Sequence, residues 1–171
     1  MELSELIHAR RSVRAYQDRP VEAEKVKTLL DLVDRAPSAG NLQAYEIYRV
    51  SAPRVRAALA RAADQSFIAQ APLILVFFAN PGRSARKYGT RGKELYALQD
   101  ATIAATYAML VAQDLGLSTV WIGAFDDAGV TAAVSAPGDW VPIAVLPIGY
   151  AAEKPDASSR RNLAELVHDL D

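Results

Sequence analysis

Apolar residues recur with the period of a helix in several parts of the chain. Residues 2–9 place their apolar side chains on one helical face, and residues 22–35 form a longer amphipathic pattern. Most residues of the 94–115 segment are small and apolar all around the predicted helix, which is typical of a helix buried in a core or against another subunit. A 171-residue monomer has little volume in which to bury such a helix, so this pattern favours a dimer. Shorter helices are predicted at 51–63 and 126–134.

Other apolar stretches lack helical spacing and predict strands. The sequence LILVFFA at 73–79 is uniformly apolar, as expected for a strand buried on both faces. Residues 141–148 predict another strand, in which Pro142 and Pro147 indicate either a position near an edge of the sheet or shortened pairing. Because strands and helices intermix without repeats or linkers, we expect one α+β or α/β three-layer domain over residues 1–171. Further strands are predicted at 45–50 and 118–122, and a mobile surface loop at 81–93.

Composition narrows the functional classes. The chain is 51% hydrophobic and 23% charged with a net charge of −1, so it predicts a soluble domain without affinity for nucleic acid. It has no cysteine, and its histidines, His8 and His168, are far apart, so we expect neither a thiol nucleophile nor a metal site. No uncharged apolar stretch reaches the roughly 18–20 residues that span a bilayer, and no secretory signal is visible. We therefore expect a cytoplasmic protein that does not contact a membrane.

Three arginines and a serine follow the first predicted helix, in the sequence RRSVR at 10–14. The planar guanidinium group matches the oxygens of a phosphate and keeps its charge when partly buried. The segment therefore predicts a site for a multivalent anion such as a nucleotide or flavin phosphate, the alternative being a solvated basic turn. The chain has neither a Gly-x-Gly-x-x-Gly fingerprint nor a Walker-type loop, so a Rossmann or P-loop site is disfavoured.

Four segments, in order, resemble the nitroreductase family of FMN-dependent oxidoreductases. They are RRSVR at 10–14, PSAGNLQ at 37–43, GLSTVWIGAF at 116–125, and PIGY at 147–150 followed by Arg160 and Arg161. The resemblance implies an α+β fold, a three-layer α/β/α sandwich with a mixed central sheet. It also implies a homodimer with FMN at the interface and the long helix in the dimer core.

The resemblance assigns roles to individual residues. Arg10 and Ser12 would contact the FMN phosphate and ribityl region, and Arg14 the N1/O2 edge, where reduction places negative charge. Arg11 is as well explained by a structural role. The remaining implied cofactor residues are Pro37, Ser38, Asn41 and Gln43 towards the flavin of the partner subunit, Gln65 at the pyrimidine edge, Ile122, Gly123 and Ala124 near N5, and Gly149, Arg160 and Arg161 at the phosphate. A capping turn after the second helix is the alternative for Ser38 and Asn41.

The implied reaction is a ping-pong transfer of electrons from NADH or NADPH through flavin N5 to a nitroaromatic, quinone or similar conjugated acceptor. No catalytic side chain is expected, because the flavin carries the chemistry. The alternatives are a specialised flavin-dependent enzyme of the same fold, acting by oxygen-dependent flavin fragmentation, dehalogenation or oxidation of a natural product, and a non-catalytic flavin-binding protein. The five cations of 81–93 would attract the phosphates of the nicotinamide dinucleotide at the pocket mouth, or form a solvated loop.

Overall fold

A four-stranded sheet with the order β1-β2-β4-β3 forms the centre of the computed structural model, which describes residues 2–170. All three pairs of neighbouring strands are antiparallel. The only parallel pairing among the described residues is a bridge between Ser12 and Thr119, which attaches the 10–14 segment beside β3. The strands are β1 (Tyr45–Val50), β2 (Leu73–Ala79), β3 (Ser118–Thr119) and β4 (Val141–Gly149).

Six α-helices surround this sheet in the described part of the chain. They are α1 (Leu3–Ala9), α2 (Ala23–Val33), α3 (Pro53–Ala62), α4 (Pro81–Arg91), α5 (Ala97–Asp114) and α6 (Asp127–Val134). A π-helical turn, Gly92–Tyr96, joins α4 to α5. Short 3₁₀ helices lie at Ala39–Asn41, Ser66–Gln70 and Leu163–Glu165.

The side chains of β2 alternate between two apolar cores, which makes the predicted three layers. Leu75 and Phe77 pack with α2 and α5 on one face of the sheet. Val76 and Phe78 pack with α3 and α6 on the other face. Because successive strand residues point to opposite faces, the uniformly apolar sequence of β2 serves both cores, and all seven of its residues are buried. The predicted α+β sandwich is therefore confirmed.

The long helix α5 packs against the sheet through small residues. Ala101, Ala104, Ala105 and Ala108 are fully buried, and α5 contacts both β2 and β4. The described residues contain one helical run, Pro81–Asp114, that is long and apolar enough to cross a membrane by length and composition alone. The alanine face of α5 belongs to the core of the domain.

One prediction about local structure is wrong, and one of the two alternatives given for the strand at 141–148 is excluded. The 81–93 segment is not a loop but α4 and the start of the π-helical turn; Asn80 Oδ1 accepts the backbone N–H of Arg83 at 3.1 Å, and Pro81 occupies the first turn. Strand β4 lies inside the sheet and not near its edge, but its pairing with β3 is short, which is the other alternative. It tolerates its prolines because β3 pairs only with its last two residues, and because the ladder to β2 shifts in register near Pro142.

Candidate cofactor site

Cations from two distant parts of the chain line one cavity of about 480 Å³. Its walls are the 10–14 segment, the end of α1 and the polar segment 155–160. Five of the residues that the sequence assigned to a cofactor line it together: Arg10, Arg11, Ser12, Arg14 and Arg160.

Backbone pairing and two buried side chains hold the 10–14 segment beside β3. The N–H of Val13 donates to the carbonyl of Thr119 at 3.2 Å. Val13 itself is buried, and Tyr16 Oη donates to the Val13 carbonyl at 2.8 Å and to the Pro147 carbonyl at 3.2 Å. Because neighbouring residues of an extended segment face opposite sides, burying Val13 turns Ser12 and Arg14 towards the cavity.

Arg10 is the most constrained cation of this cavity. Its Nη1 atom is buried without a hydrogen-bond partner among the described residues. Burial, followed by the charges of Arg160 and Arg11, lowers the pKa of the Arg10 guanidinium below its usual value. Asp156 is the one carboxylate among the residues that line this cavity. A buried donor without an acceptor, with two like charges nearby, is costly unless an anion binds there. The site therefore fits a phosphate group.

The other arginines differ in the hydrogen bonds that their guanidinium groups already make within the protein. Arg11 Nη1 donates to the carbonyls of His8 at 2.6 Å and Arg10 at 2.9 Å, so it closes the C-terminal end of α1. Arg160 Nη1 donates to the Ser159 carbonyl at 3.0 Å, within its own loop. Arg161 lies outside the cavity lining and turns to Glu165 instead. The structure thus brings only one of the two C-terminal arginines to the cavity.

The 37–43 segment forms a strained turn. Gly40, Asn41 and Gln43 have φ angles of 56°, 55° and 50°, in the left-handed region. Ser38 Oγ accepts the backbone N–H of Gln43 at 2.9 Å, so Ser38 does close a turn. The amide of Gln43 folds back on the domain, with Nε2 donating to Asp34 Oδ1 at 3.0 Å. Pro37 and Asn41 are exposed.

This turn and the arginine segment lie at opposite corners of the sheet. The turn precedes β1 at one edge, whereas Ser12 pairs with the outer side of β3 at the other edge, four strand spacings or about 19 Å away. Along the strands, the start of β1 is level with Val141, whereas Ser12 is level with Ile148, about 23 Å further. A single chain therefore does not bring the two groups of predicted cofactor residues together.

Residues 122–124 lie on the same edge of the sheet as the arginine segment. Ile122 is buried and forms a two-way backbone bridge with Val145 of β4, at 3.0 and 3.1 Å. Gly123 and Ala124 are exposed. A Cβ at position 123 would lie 3.0 Å from Trp121 Nε1, so the glycine keeps the backbone accessible beside that ring.

Gly149 and Gln65 lie outside the arginine cavity. Gly149 is buried, and a Cβ there would lie 2.7 Å from Pro72 Cδ and 3.1 Å from a Tyr16 ring carbon. Close packing therefore explains this glycine. Gln65 precedes the 3₁₀ helix Ser66–Gln70 and lines a separate cavity of about 420 Å³.

Sequence reasoning missed Asp100, a nearly fully buried carboxylate on α5. Its Oδ1 accepts the N–H of Ala39 at 2.8 Å and its Oδ2 that of Ala44 at 3.2 Å, so it fixes both sides of the 37–43 turn. Its one signal in the sequence is that it is the only charged residue within the apolar helix α5 before the terminal Asp114. Such a carboxylate needs buried donors.

Comparisons with known proteins show which sequences and structures this chain is similar to. The sequence model described as "Nitroreductase family" matches residues 7–68 and 60–150. A Thermus thermophilus protein named NADH dehydrogenase is 30% identical over 92% of this chain and 91% of its own. A Rhodobacter capsulatus 5,6-dimethylbenzimidazole synthase is 30% identical over 86% and 82%. The structure of an NADPH:FMN oxidoreductase from Vibrio harveyi complexed with NAD⁺ has a TM-score of 0.88 and 26% identity, over 98% of this chain and 75% of that one.

Proposed function

This chain belongs to the nitroreductase family, and on that basis we propose that it is an FMN-dependent oxidoreductase that uses NADH or NADPH. Its electron acceptor would be a nitroaromatic, a quinone or a similar conjugated molecule. Donor and acceptor would enter the same pocket in turn, in a ping-pong mechanism. The names of relatives, among them an NADPH nitroreductase, an FMN reductase and an NADPH:FMN oxidoreductase, support this class of reaction.

The observation that carries the proposal is the buried, unpartnered Nη1 of Arg10 in a cavity lined by four arginines. Arg10, Ser12 and Arg160 would hold the FMN phosphate, since charge-assisted hydrogen bonds to guanidinium groups suit its oxygens. When bound, FMN supplies a ring that accepts hydride at N5 and releases electrons to the acceptor. Arg14 would place a positive charge beside the flavin edge that becomes negative on reduction. The exposed backbone of Gly123 and Ala124 would face the N5 side.

We propose further that the working site is built by a homodimer. The 37–43 turn lies at the opposite corner of the sheet from the arginine cavity, so Ser38, Asn41 and Gln43 would serve the flavin held by the other subunit. An apolar groove of about 490 Å³ between α1 and α5, lined by Leu3, Ile7, Tyr107 and Leu110 among others, supports such an interface. Exposed apolar surface of this kind is typical of protein–protein contacts.

An anaerobic visible spectrum of the purified protein tests the proposal. We expect an oxidised flavin spectrum that bleaches when NADH or NADPH is added and returns when menadione, a quinone, is supplied. A protein that stayed colourless after incubation with FMN would contradict the cofactor assignment. A flavin spectrum that neither nucleotide bleached, but that photoreduction did, would instead indicate a flavin-binding protein without donor turnover.

The relative named 5,6-dimethylbenzimidazole synthase favours a second candidate, a specialised flavin-dependent enzyme of the same fold. Such an enzyme would consume oxygen and convert a flavin or a natural product without sustained turnover of NAD(P)H with quinones. Following oxygen uptake and the fate of the flavin by mass spectrometry separates the two candidates. Steady NAD(P)H oxidation with intact flavin supports the reductase.

A further inference from the structure

Helix α4 and the start of the π-helical turn concentrate positive charge. Residues 81–93 contain five cations and no carboxylate, in a chain whose net charge is −1. All five side chains are exposed, and none forms an ion pair with a carboxylate of residues 2–170. The five are Arg83, Arg86, Lys87, Arg91 and Lys93. This surface therefore has an excess of charge that no described acidic group compensates.

Two of these cations contact the 37–43 turn. Arg83 Nε donates a hydrogen bond to the carbonyl of Leu42. Lys87 and Tyr88 lie over Gly40: a Cβ at that position would be 2.7 Å from Lys87 Nζ and 2.4 Å from Tyr88 Oη. Gly40 has a φ of +56°, so both its conformation and this close approach require glycine. Helix α4 and the turn therefore form one continuous surface.

The aromatic rings at the end of α4 hold this surface in place. Tyr88 packs edge-on against Tyr96, with ring centroids 5.1 Å apart. Arg91 Nε donates to Tyr96 Oη at 2.9 Å, so the guanidinium group of Arg91 already has a hydrogen-bond partner. Lys87 Nζ lies 5.3 Å from the Tyr88 ring centroid and has no carboxylate partner. Arg86, one residue earlier, has no described ion pair either, so these two cations remain available to a ligand.

The chemistry of this surface suits a flexible, multiply charged anion that carries aromatic groups. The arginine cavity beside β3 already provides a site for one phosphate, at the opposite corner of the same sheet. In the proposed dimer, the arginines of the other subunit would hold the FMN phosphate beside the 37–43 turn. The cations of α4 would then be available to a second anion that approaches from the side of this turn.

We propose that Arg86 and Lys87 recognise the phosphates of the nicotinamide dinucleotide donor, with Tyr88 forming the adjacent aromatic wall. The inference rests on the proposed function, because it takes the 37–43 turn to be part of the flavin pocket. It assigns donor recognition to α4, separate from the arginines that hold the cofactor. NADH offers the diphosphate, and NADPH adds the 2′-phosphate.

The test compares donors with and without phosphate in the double variant Arg86→Gln/Lys87→Gln of the FMN-loaded protein. Loss of two charge-assisted contacts is expected to raise KM for NADH and NADPH at least about tenfold. KM for 1-benzyl-1,4-dihydronicotinamide, which has no phosphate, is expected to stay unchanged. Reoxidation of the photoreduced protein by menadione, a neutral acceptor, should also be unchanged. An equal rise for NADH and NADPH assigns the diphosphate, and a larger rise for NADPH assigns the 2′-phosphate.

A matched variant, Arg49→Gln/Arg54→Gln, removes two exposed cations from β1 and the start of α3 and should leave all three donors unaffected. If the wild-type protein oxidises NAD(P)H and the α4 variant has the same KM values, the inference is overturned. The proposed function would then still stand. An equal loss with the phosphate-free donor would also overturn the inference, since α4 would then shape the pocket without reading phosphate. Wild-type flavoprotein that no donor reduces would contradict the proposed function itself.

Discussion

The carboxylate of Asp100 accepts a hydrogen bond from the backbone N–H of Ala39, with 2.8 Å between Oδ1 and N. Its other oxygen accepts the N–H of Ala44 at 3.2 Å, and the side chain is buried in the first turn of α5. One carboxylate thus joins α5 to both sides of a turn that contains three residues with positive φ. The shape of the 37–43 turn depends on this link, because its strained backbone conformation needs support from outside the turn.

Replacing Asp100 by asparagine should destabilise the domain. The amide nitrogen would face one of the two backbone N–H groups, leaving a buried donor unsatisfied at a cost of about 1–3 kcal/mol in the free energy of unfolding. Urea denaturation measures this loss. Asp139→Asn, at an exposed carboxylate, is the matched control and should change the free energy by less than about 0.5 kcal/mol. Equal stabilities of the two variants would contradict the role given to Asp100.

Arg10→Gln should weaken FMN binding and leave riboflavin binding unchanged. Riboflavin has no phosphate, whereas a charge-assisted contact to phosphate contributes about 1.5–3 kcal/mol, so Kd for FMN should rise at least about tenfold. Fluorescence titration of the apoprotein measures both affinities. Arg54→Gln, on an exposed face of α3, is the control. An equal loss of affinity for both flavins would show that Arg10 supports the ring or the fold and not the phosphate.

Arg10 should also determine how phosphate affects the thermal stability of the protein without its cofactor. Because Arg160 and Arg11 lie close enough to lower the pKa of Arg10, inorganic phosphate should relieve their repulsion. Phosphate should therefore raise the Tm of the wild-type apoprotein more than chloride of the same ionic strength does. The difference should disappear in Arg10→Gln. A phosphate effect that survived in this variant would locate the anion elsewhere.

Glu22 and Tyr150 make acid stability sensitive to one hydrogen bond. Tyr150 Oη donates to Glu22 Oε2 at 2.5 Å and, with a backbone hydrogen bond and Arg19, lowers the pKa of Glu22 from 4.5 to about 2. A carboxyl whose pKa is lower in the folded state stabilises the fold above pH 4.5, and this contribution is lost as the pH falls towards 2. Tyr150→Phe should raise the pKa of Glu22 and flatten the pH dependence of stability in that window.

Carbon-13 NMR of the glutamate carboxyls, together with urea denaturation between pH 2 and about 5, measures both effects. Tyr48→Phe removes a hydroxyl from a half-buried ring of β1 that lies outside the proposed sites and is the control. A Glu22 pKa near 4.5 in the wild-type protein would contradict the contact.

The sequence predicts the secondary structure of this domain better than it predicts its placement. The run LILVFFA specifies a strand buried on both faces, and its alternating contacts with two cores follow directly. By contrast, Gly89 and the π-helical turn interrupt the helical pattern of 81–96, so local composition there predicts a loop. Strand β4 is interior although it contains prolines, because sheet order depends on long-range pairing.

In the candidate site, too, the chemistry of single residues is easier to predict from the sequence than their placement in space. The RRSVR segment predicts an anion site from residue chemistry alone, and the structure places four of its five residues in the wall of one cavity. Arg160 was assigned through resemblance to a family, since no spacing rule relates it to Arg10; the cavity brings them together, whereas Arg161 turns to Glu165. Asp100 was missed because hydrophobic periodicity carries no information about which backbone donors meet a buried carboxylate. A site shared by two subunits is harder still to predict from the sequence, because its two halves lie at opposite corners of the sheet in each chain.

A charge in the groove between α1 and α5 should separate the proposed dimer. Leu3 is 65% exposed in the single chain and lies outside the arginine cavity, so Leu3→Glu costs little in the folded monomer, but it would place an unpaired charge in an apolar interface. Sedimentation at micromolar concentration should show a shift from dimer to monomer. FMN affinity should fall with it, because each arginine cavity would lose the 37–43 turn of the other subunit. Leu32→Glu, 43% exposed on α2 and outside the groove, should remain dimeric; if it dissociated while Leu3→Glu did not, the interface would lie on α2.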